Sequence, residues 1–151
     1  MNKDSESILK ERINNFEKFR KERLPVLHKF SEAIGLPNPH EILLVPKKYL
    51  PYLDEFLEMQ VIEEHNRSWL ITRIGYFFGE LLVEEHQGCW MVDENASSEN
   101  FAKYVIGDFE NEIHTLTIDP FIFAARFVDT PAPRSLNNAY ADMLSNMSSF
   151  N

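Results

Sequence analysis

The stretch from Arg67 to His86 constrains the fold most, because it is a helix-length run whose apolar residues recur at helical spacing. At 100° per residue its apolar side chains fall in one broad arc, which is typical of a helix buried over most of its circumference. These side chains are Leu70, Ile71, Ile74, Phe77, Phe78, Leu81 and Leu82. Gly75 and Gly79 follow the edge of the arc. Since a glycine inside a helix costs about 1 kcal/mol relative to alanine, we predict that another backbone or a large aromatic ring approaches closely there.

The chain before this central helix is also predicted to be helical. From about residue 5 to residue 34, apolar side chains recur at helical spacing among charged ones. Pro25 interrupts the pattern, and the spacing leaves open whether the segment forms two helices or one kinked helix. A further helix is predicted to begin at Pro46 or Pro51. The short apolar run 42–45 fits either an edge strand or the entry to that helix.

After the central helix the apolar pattern changes from helical spacing to short, alternating runs. Three such runs, at 88–92, 101–106 and 113–118, are separated by polar connections. We therefore predict a three-stranded antiparallel meander over about residues 89–118, with the central helix packed on its apolar face. Helices are predicted to follow over about 119–147, although 121–128 equally permits a buried strand. The predicted architecture is one α+β domain over residues 1–151.

Charge and cysteine content limit the kinds of partner and compartment. The formal net charge is −9; residues 3–23 hold seven basic and five acidic side chains, and the remainder holds eight basic and nineteen acidic ones. Such a surface repels nucleic acid and favours a basic partner or simply solubility. The most apolar run, 69–83, contains two charged residues and is shorter than the roughly 20 residues that span a membrane. Cys89 is the only cysteine, so a reducing cytoplasm is the simplest predicted location.

One tripeptide, Glu-Glu-His, occurs near the ends of two predicted helices and suggests a metal site. Its members Glu64, His65, Glu85 and His86 could form a carboxylate–histidine centre and support a small metal-dependent or hydrolytic enzyme. The spacing argues against this, because helical metal sites need Glu-x-x-His to place both ligands on one face. Histidine near a helix C-terminus is also favoured by the helix dipole alone. Phosphate-binding and nucleophile motifs are absent, so no metal, cofactor or catalytic residue is predicted.

The strongest candidate binding surface is the stripe Trp69, Arg73, Tyr76 and Glu80, at spacings of four, three and four. Arg73 could stack on Trp69 and Tyr76 could hydrogen-bond Glu80, which would present an aromatic, charged face of the kind that dominates binding hot spots. Alternatively, this face lies under the N-terminal helices, with Arg73 and Glu80 paired. Together with Glu80, an acidic group is predicted to meet a basic partner: Glu84, Glu85, Asp93, Glu94 and Glu99.

Residues 46–129 resemble small bacterial domains of unknown function, in which a helix bearing Gly-x-x-x-Gly-Glu leads into a hairpin through Gly-x-Trp. The residues that carry the resemblance are Gly75, Gly79, Glu80, Gly88, Trp90 and Pro120. Some such domains belong to toxin–immunity neighbourhoods, and the resemblance therefore implies an immunity-like role at the level of fold. We predict a non-enzymatic, acidic protein-interaction module, the alternatives being the enzyme described above and a structural homo-oligomer whose interface includes the N-terminal helix.

Overall fold

A computed structural model describes residues 2–109 and 116–148, which form five α-helices and one two-stranded sheet. The elements in chain order are α1 (Lys3–Ala33), α2 (Pro46–Leu57), α3 (Arg67–His86), β1 (Cys89–Val92), β2 (Tyr104–Gly107), α4 (Pro120–Asp129) and α5 (Leu136–Ser148). None of the helices in this part of the chain combines the length and apolar character that a membrane-crossing segment requires. Most of the described residues lie in helices.

The predicted three-stranded meander is wrong. β1 and β2 pair in antiparallel register, with Trp90 opposite Ile106. Of the predicted third strand, residues 113–115 lie outside the described residues, and Ile118 forms only an isolated bridge with Ile106. Pairing cannot continue beyond Ile118, because the Asp119 side chain accepts a hydrogen bond from the Phe121 N–H and α4 begins at Pro120. Of the predicted third strand, the described residues thus keep a single bridge, which lies directly before a helix start.

Three ambiguities of the sequence are resolved by the backbone. The N-terminal segment is one 31-residue helix that continues through Pro25, and the side chain of Asn2 caps it by accepting a hydrogen bond from the Ser5 N–H. Residues 42–45 form a turn that leads directly into α2, with Val45 at its N-cap, so this run is the entry to the helix and not a strand. The run 121–128 is helical and lies inside α4.

The core is organised around α3, whose bounds coincide with the predicted range 67–86. It packs most extensively against α4 and also contacts α1, α2 and the hairpin. A side chain at Gly75 would overlap the ring of Phe121, and one at Gly79 would overlap the ring of Trp90. The prediction that large aromatic rings approach the glycine edge is therefore confirmed.

The end of α2 is fixed by contacts from the C-terminal part of the chain. The buried guanidinium of Arg134 donates hydrogen bonds to the backbone carbonyls of Leu57, at 2.9 Å, and Gln60, at 2.8 Å. The Asp54 carboxylate accepts a hydrogen bond from the Leu136 N–H at 2.7 Å. These bonds hold the irregular segment after α2 in place without regular secondary structure.

Candidate functional site

An open groove of about 440 Å³ lies between the C-terminal part of α1, the end of α2 and the first turns of α3. Eight of its eleven lining residues are apolar, and the polar ones are Gln60, His65 and Asn66. Phe30 comes from α1 and Ile34 is the residue that caps its C-terminus, while Trp69 and Leu70 come from α3. Because these residues are distant in sequence, the groove exists only in the folded chain.

The wall between α2 and α3 is held by the Arg134 hydrogen bonds to Leu57 and Gln60 described above. It ends in one turn of 3₁₀-helix at Glu64–Asn66, which leads directly into α3. Val61 on this wall is 82% exposed. The backbone thus presents the apolar side chain of Val61 to solvent at the groove, where this side chain is not buried in the core.

Trp69 is the largest side chain in the groove and is 46% exposed. The edge of its ring system meets Phe30, with centroids 5.6 Å apart and planes at 74°. The Arg73 guanidinium carbon lies 4.0 Å from the Trp69 ring centroid, and Arg73 Nη1 donates to the Trp69 carbonyl at 3.0 Å. The predicted stack of Arg73 on Trp69 is therefore confirmed, and it holds the indole in a defined orientation.

The charges around the groove are largely unpaired. Glu58, Glu63 and Glu64 are exposed beside the lining residues of the α2–α3 segment. Among the ion pairs formed by residues 2–109 and 116–148, none includes these three carboxylates or Arg73. Burial lowers the pKa of the Arg73 guanidinium, and the nearby Tyr76 opposes this effect.

The second half of the predicted stripe is not a surface. Tyr76 and Glu80 are 5% and 3% exposed. Glu80 pairs with Arg23 of α1, the Glu80 Oε1 and Arg23 Nε atoms being 2.6 Å apart. The predicted Tyr76–Glu80 hydrogen bond and Arg73–Glu80 pair are absent from the contacts of the described residues. The alternative interpretation, burial under α1, thus holds for this half of the stripe.

The buried ion pair is poorly matched. Although the charges are close, Arg23 Nε and Glu80 Oε1 lack a hydrogen bond of good geometry, as does the buried indole Nε1 of Trp90, within the described part of the chain. Burial raises the pKa of Glu80, and this effect outweighs the opposing influence of Arg23 and of the Trp90 indole. Burial of the Glu80 carboxylate therefore costs free energy. The side chain serves as a contact between α1 and α3 and not as a solvent-accessible acid.

An aromatic cluster explains why α1 covers this half of the stripe. Phe19 of α1 packs between Tyr104, Trp90 and Tyr76, at centroid distances of 4.3, 5.1 and 5.4 Å. The Tyr104 hydroxyl also donates to the Arg12 carbonyl at 2.8 Å. The middle of α1 is thus fixed on the hairpin and on α3.

The predicted acidic surface is only partly exposed. Glu84, Glu85, Glu94 and Glu99 are exposed. Asp93 is 4% exposed, and its carboxylate accepts hydrogen bonds from Ser98 Oγ at 2.6 Å, Thr117 Oγ1 at 3.0 Å and the Asn95 N–H at 2.9 Å. Asp93 and Glu80 therefore do not belong to that surface, because each is used to hold the fold together.

The two Glu-Glu-His clusters are not brought together. Glu64 and His65 lie immediately before α3, whereas Glu85 and His86 are its last residues. A 20-residue helix is roughly 30 Å long, so these side chains cannot share one ion within one chain. Within residues 2–109 and 116–148, no group of three or more His, Cys, Asp or Glu side chains is placed to hold a metal.

Sequence reasoning found Trp69 and Arg73 but missed the rest of the groove. Phe30 and Phe56 look like ordinary core positions of amphipathic helices in the sequence. The one local signal is that Met59 and Val61 continue the apolar pattern beyond the end of α2, where the structure leaves them 65% and 82% exposed. Comparisons of the chain with protein-family models, with curated proteins and with solved structures found no match, so the groove and its charges are the features from which function is argued.

Proposed function

We propose that this protein is a non-enzymatic interaction domain whose groove binds an amphipathic, basic segment of a partner protein. The observation that carries the proposal is the open apolar groove with the half-exposed Trp69 in its lining and three exposed carboxylates beside it. An immunity-like role, in which the partner is a basic toxin, is the setting suggested by the sequence resemblance.

The apolar part of the groove suits a helical segment. Its volume lies within the range of pockets that hold ligands, and amphipathic helices bind such grooves through apolar side chains at helical spacing. Trp69 is the type of residue that contributes most to binding energy, since a large rigid surface is desolvated with little loss of conformational freedom. The stack of Arg73 on the indole reduces that loss further, because the ring is already oriented.

The charges favour a basic partner. Glu58, Glu63 and Glu64 flank the groove, and the whole chain carries a formal net charge of −9. Exposed carboxylates elsewhere, among them Glu84 and Glu94, add to the long-range field without touching the groove residues. We expect this field to accelerate association, and salt to weaken it.

The titratable groups support binding rather than catalysis. Among residues 2–109 and 116–148, the two carboxyl groups with shifted pKa values are both engaged in contacts that hold the fold: Glu80 with Arg23, and Asp129 with Arg67 through two 2.7 Å hydrogen bonds. The hydrogen bond from Arg67 lowers the pKa of Asp129. Neither acid lines the groove. With Cys89 as the only cysteine, a reducing compartment such as the cytoplasm is the proposed setting.

Selection of random 16-residue peptides by the immobilised protein tests the proposal and does not require an identified partner. We expect enrichment of peptides with large apolar residues at helical spacing together with Lys or Arg. Trp69→Ala should weaken their binding at least tenfold, whereas Ser68→Ala, at an exposed neighbouring position, should leave it unchanged. Enrichment of acidic peptides, equal binding by both variants, or no enrichment would each contradict the proposal.

The charge argument has its own matched pair of variants at the two ends of one helix. Glu63→Gln/Glu64→Gln should weaken peptide binding roughly threefold and reduce its salt dependence, since exposed pairs contribute up to about 1 kcal/mol. Glu84→Gln/Glu85→Gln removes the same charge at the opposite end of α3 and should change only the association rate slightly. If the two double variants behave alike, the groove carboxylates have no direct role.

A further inference from the structure

Arg73 lies beside the groove without a counter-ion. Its Nη1 donates to the carbonyl of Trp69 in its own helix, and its guanidinium stacks on the Trp69 ring. Within residues 2–109 and 116–148, no carboxylate oxygen lies within 4.0 Å of it. Nε and Nη2 are left without a protein acceptor in this part of the chain.

Each of the other half-buried or buried arginines faces a carboxylate or a set of backbone carbonyls. Arg23 faces Glu80, and Arg67 forms two hydrogen bonds with Asp129. Arg134 donates to three backbone carbonyls, those of Thr130, Leu57 and Gln60. A guanidinium that is partly removed from water normally needs such partners, because an unmatched charge loses hydration without compensation. Arg73 bears this cost, and burial lowers its pKa accordingly.

We infer that Arg73 binds a carboxylate of the partner segment, beside the apolar side chain that packs on Trp69. The inference rests on the proposed function and adds the chemistry that selects the segment. A guanidinium can hold a carboxylate through two parallel hydrogen bonds, and its stack on an indole keeps the donors in one plane.

The placement of the charges gives the bound segment a direction. Arg73 lies one helical turn after Trp69, whereas Glu63 and Glu64 precede α3 and lie before Trp69 in the chain. The carboxylate of the bound segment therefore contacts Arg73, which follows Trp69 along α3. The basic residues of the bound segment contact Glu63 and Glu64, which precede α3. A segment with the reversed order of charges is disfavoured, because like charges would face each other at both positions.

The experiment uses a peptide selected on the wild-type protein and a double-mutant cycle. Arg73→Gln should weaken its binding about tenfold, replacement of the peptide's acidic residue by its amide should do the same, and the two changes together should cost little more than either alone. Arg73→Lys should bind with intermediate affinity, because an ammonium lacks the planar pair of donors. Arg126→Gln is the matched control, since Arg126 lies 5.0 Å over Phe123 on the exposed side of α4.

The outcomes separate this inference from the proposed function. The inference is overturned, and the proposed function stands, if Trp69→Ala weakens peptide binding but Arg73→Gln does not. The same holds if the losses in binding free energy from Arg73→Gln and from the amide replacement in the peptide are additive. An amidated peptide C-terminus that abolishes the coupling would identify a terminal carboxylate rather than a side chain as the group bound, which supports the inference.

A second measurement does not depend on selected peptides. Titration with hexanoate, a carboxylate with an apolar tail, should shift the Arg73 Nε–Hε signal in nuclear magnetic resonance spectra more than the Arg126 signal, and Trp69→Ala should abolish the difference. Equal, small shifts at both arginines would overturn the inference even if no peptide were enriched.

Discussion

Two pairs of residues on one face of α3 differ sharply in exposure. Trp69 and Arg73 form an exposed stack at the groove, whereas Tyr76 and Glu80, two turns further along the same stripe, are almost completely buried. Both pairs combine an aromatic ring with a charge. The difference therefore lies in what covers them rather than in residue type.

The cover comes from α1 and the hairpin. Phe19 and Arg23 lie over Tyr76 and Glu80, and the ring of Trp90 packs into the space left by Gly79. Further along α1, Phe30 meets Trp69 only through an edge-on contact. One helical stripe is thus buried where α1 and Trp90 cover it and remains partly exposed to solvent where they do not.

The largest effect is expected at the sealed end, from Gly79→Ala. The new Cβ would overlap the Trp90 ring, which is confined by Phe19 and Phe121. We expect the free energy of unfolding in urea to fall by about 3 kcal/mol, or the chain not to fold, despite the higher helix propensity of alanine. Ser68→Ala at the exposed end is the control. Unchanged or increased stability of Gly79→Ala would show that the ring does not pack there.

The Arg23–Glu80 pair should respond asymmetrically to the loss of each partner. Arg23→Met leaves a carboxylate whose side chain is 4% exposed without a counter-charge, and we expect a loss of about 2 to 3 kcal/mol at pH 7. Glu80→Gln leaves an arginine side chain that is 22% exposed and can reach water, so we expect a loss below about 1 kcal/mol. Chemical denaturation measures both, and equal losses would contradict this account.

The pH dependence of the same pair has a defined sign. Because burial raises the pKa of Glu80 above its ordinary value of 4.5, the folded state binds this proton more tightly than the unfolded state does. The ionised Glu80 carboxylate therefore lowers the free energy of unfolding at pH values above its folded pKa. The free energy of unfolding rises as the pH falls through that pKa, and it levels off below about 4.5. The deficit of Arg23→Met should shrink over this window in denaturation curves, whereas that of Glu80→Gln should not.

The smallest effect on stability is expected at the open end. Trp69 is 46% exposed, so Trp69→Ala should lower the free energy of unfolding by no more than about 1 kcal/mol. The same variant should weaken groove binding at least tenfold. A large loss of stability with Trp69→Ala would mean that this residue belongs to the core, and the contrast between the two ends of the stripe would disappear.

Local features of the fold could be read from the sequence, and the long-range ones could not. The range of α3 and the Trp69–Arg73 stack depend on residues three or four apart, whose relation is fixed once the helix forms. The close approach of aromatic rings at Gly75 and Gly79 could also be predicted, because helical glycines have a cost that needs compensation. The identity of those rings, Phe121 and Trp90, could not.

The third strand shows how a local pattern is overruled. The run 113–118 alternates as a strand should, yet of its described residues, 116–118, only Ile118 pairs with the hairpin, and the cap formed by Asp119 starts α4 directly afterwards. The groove was missed for the complementary reason. Its walls come from α1, α2 and α3, and no spacing within any one of them shows that Phe30, Val61 and Trp69 surround the same space.

The sequence alone determined an acidic chain with a central helix, an apolar arc and a glycine edge, since these follow from residue type and helical periodicity. Only the tertiary structure decided that α1 would bury Glu80 with Arg23 and leave Arg73 unmatched beside Trp69. Arg73 and Glu80 lie on one stripe of one helix, and they differ in what packs over them. Burial and counter-charge are properties of the assembled layers, so the local pattern could not distinguish a residue that holds the fold from one left partly exposed at the groove.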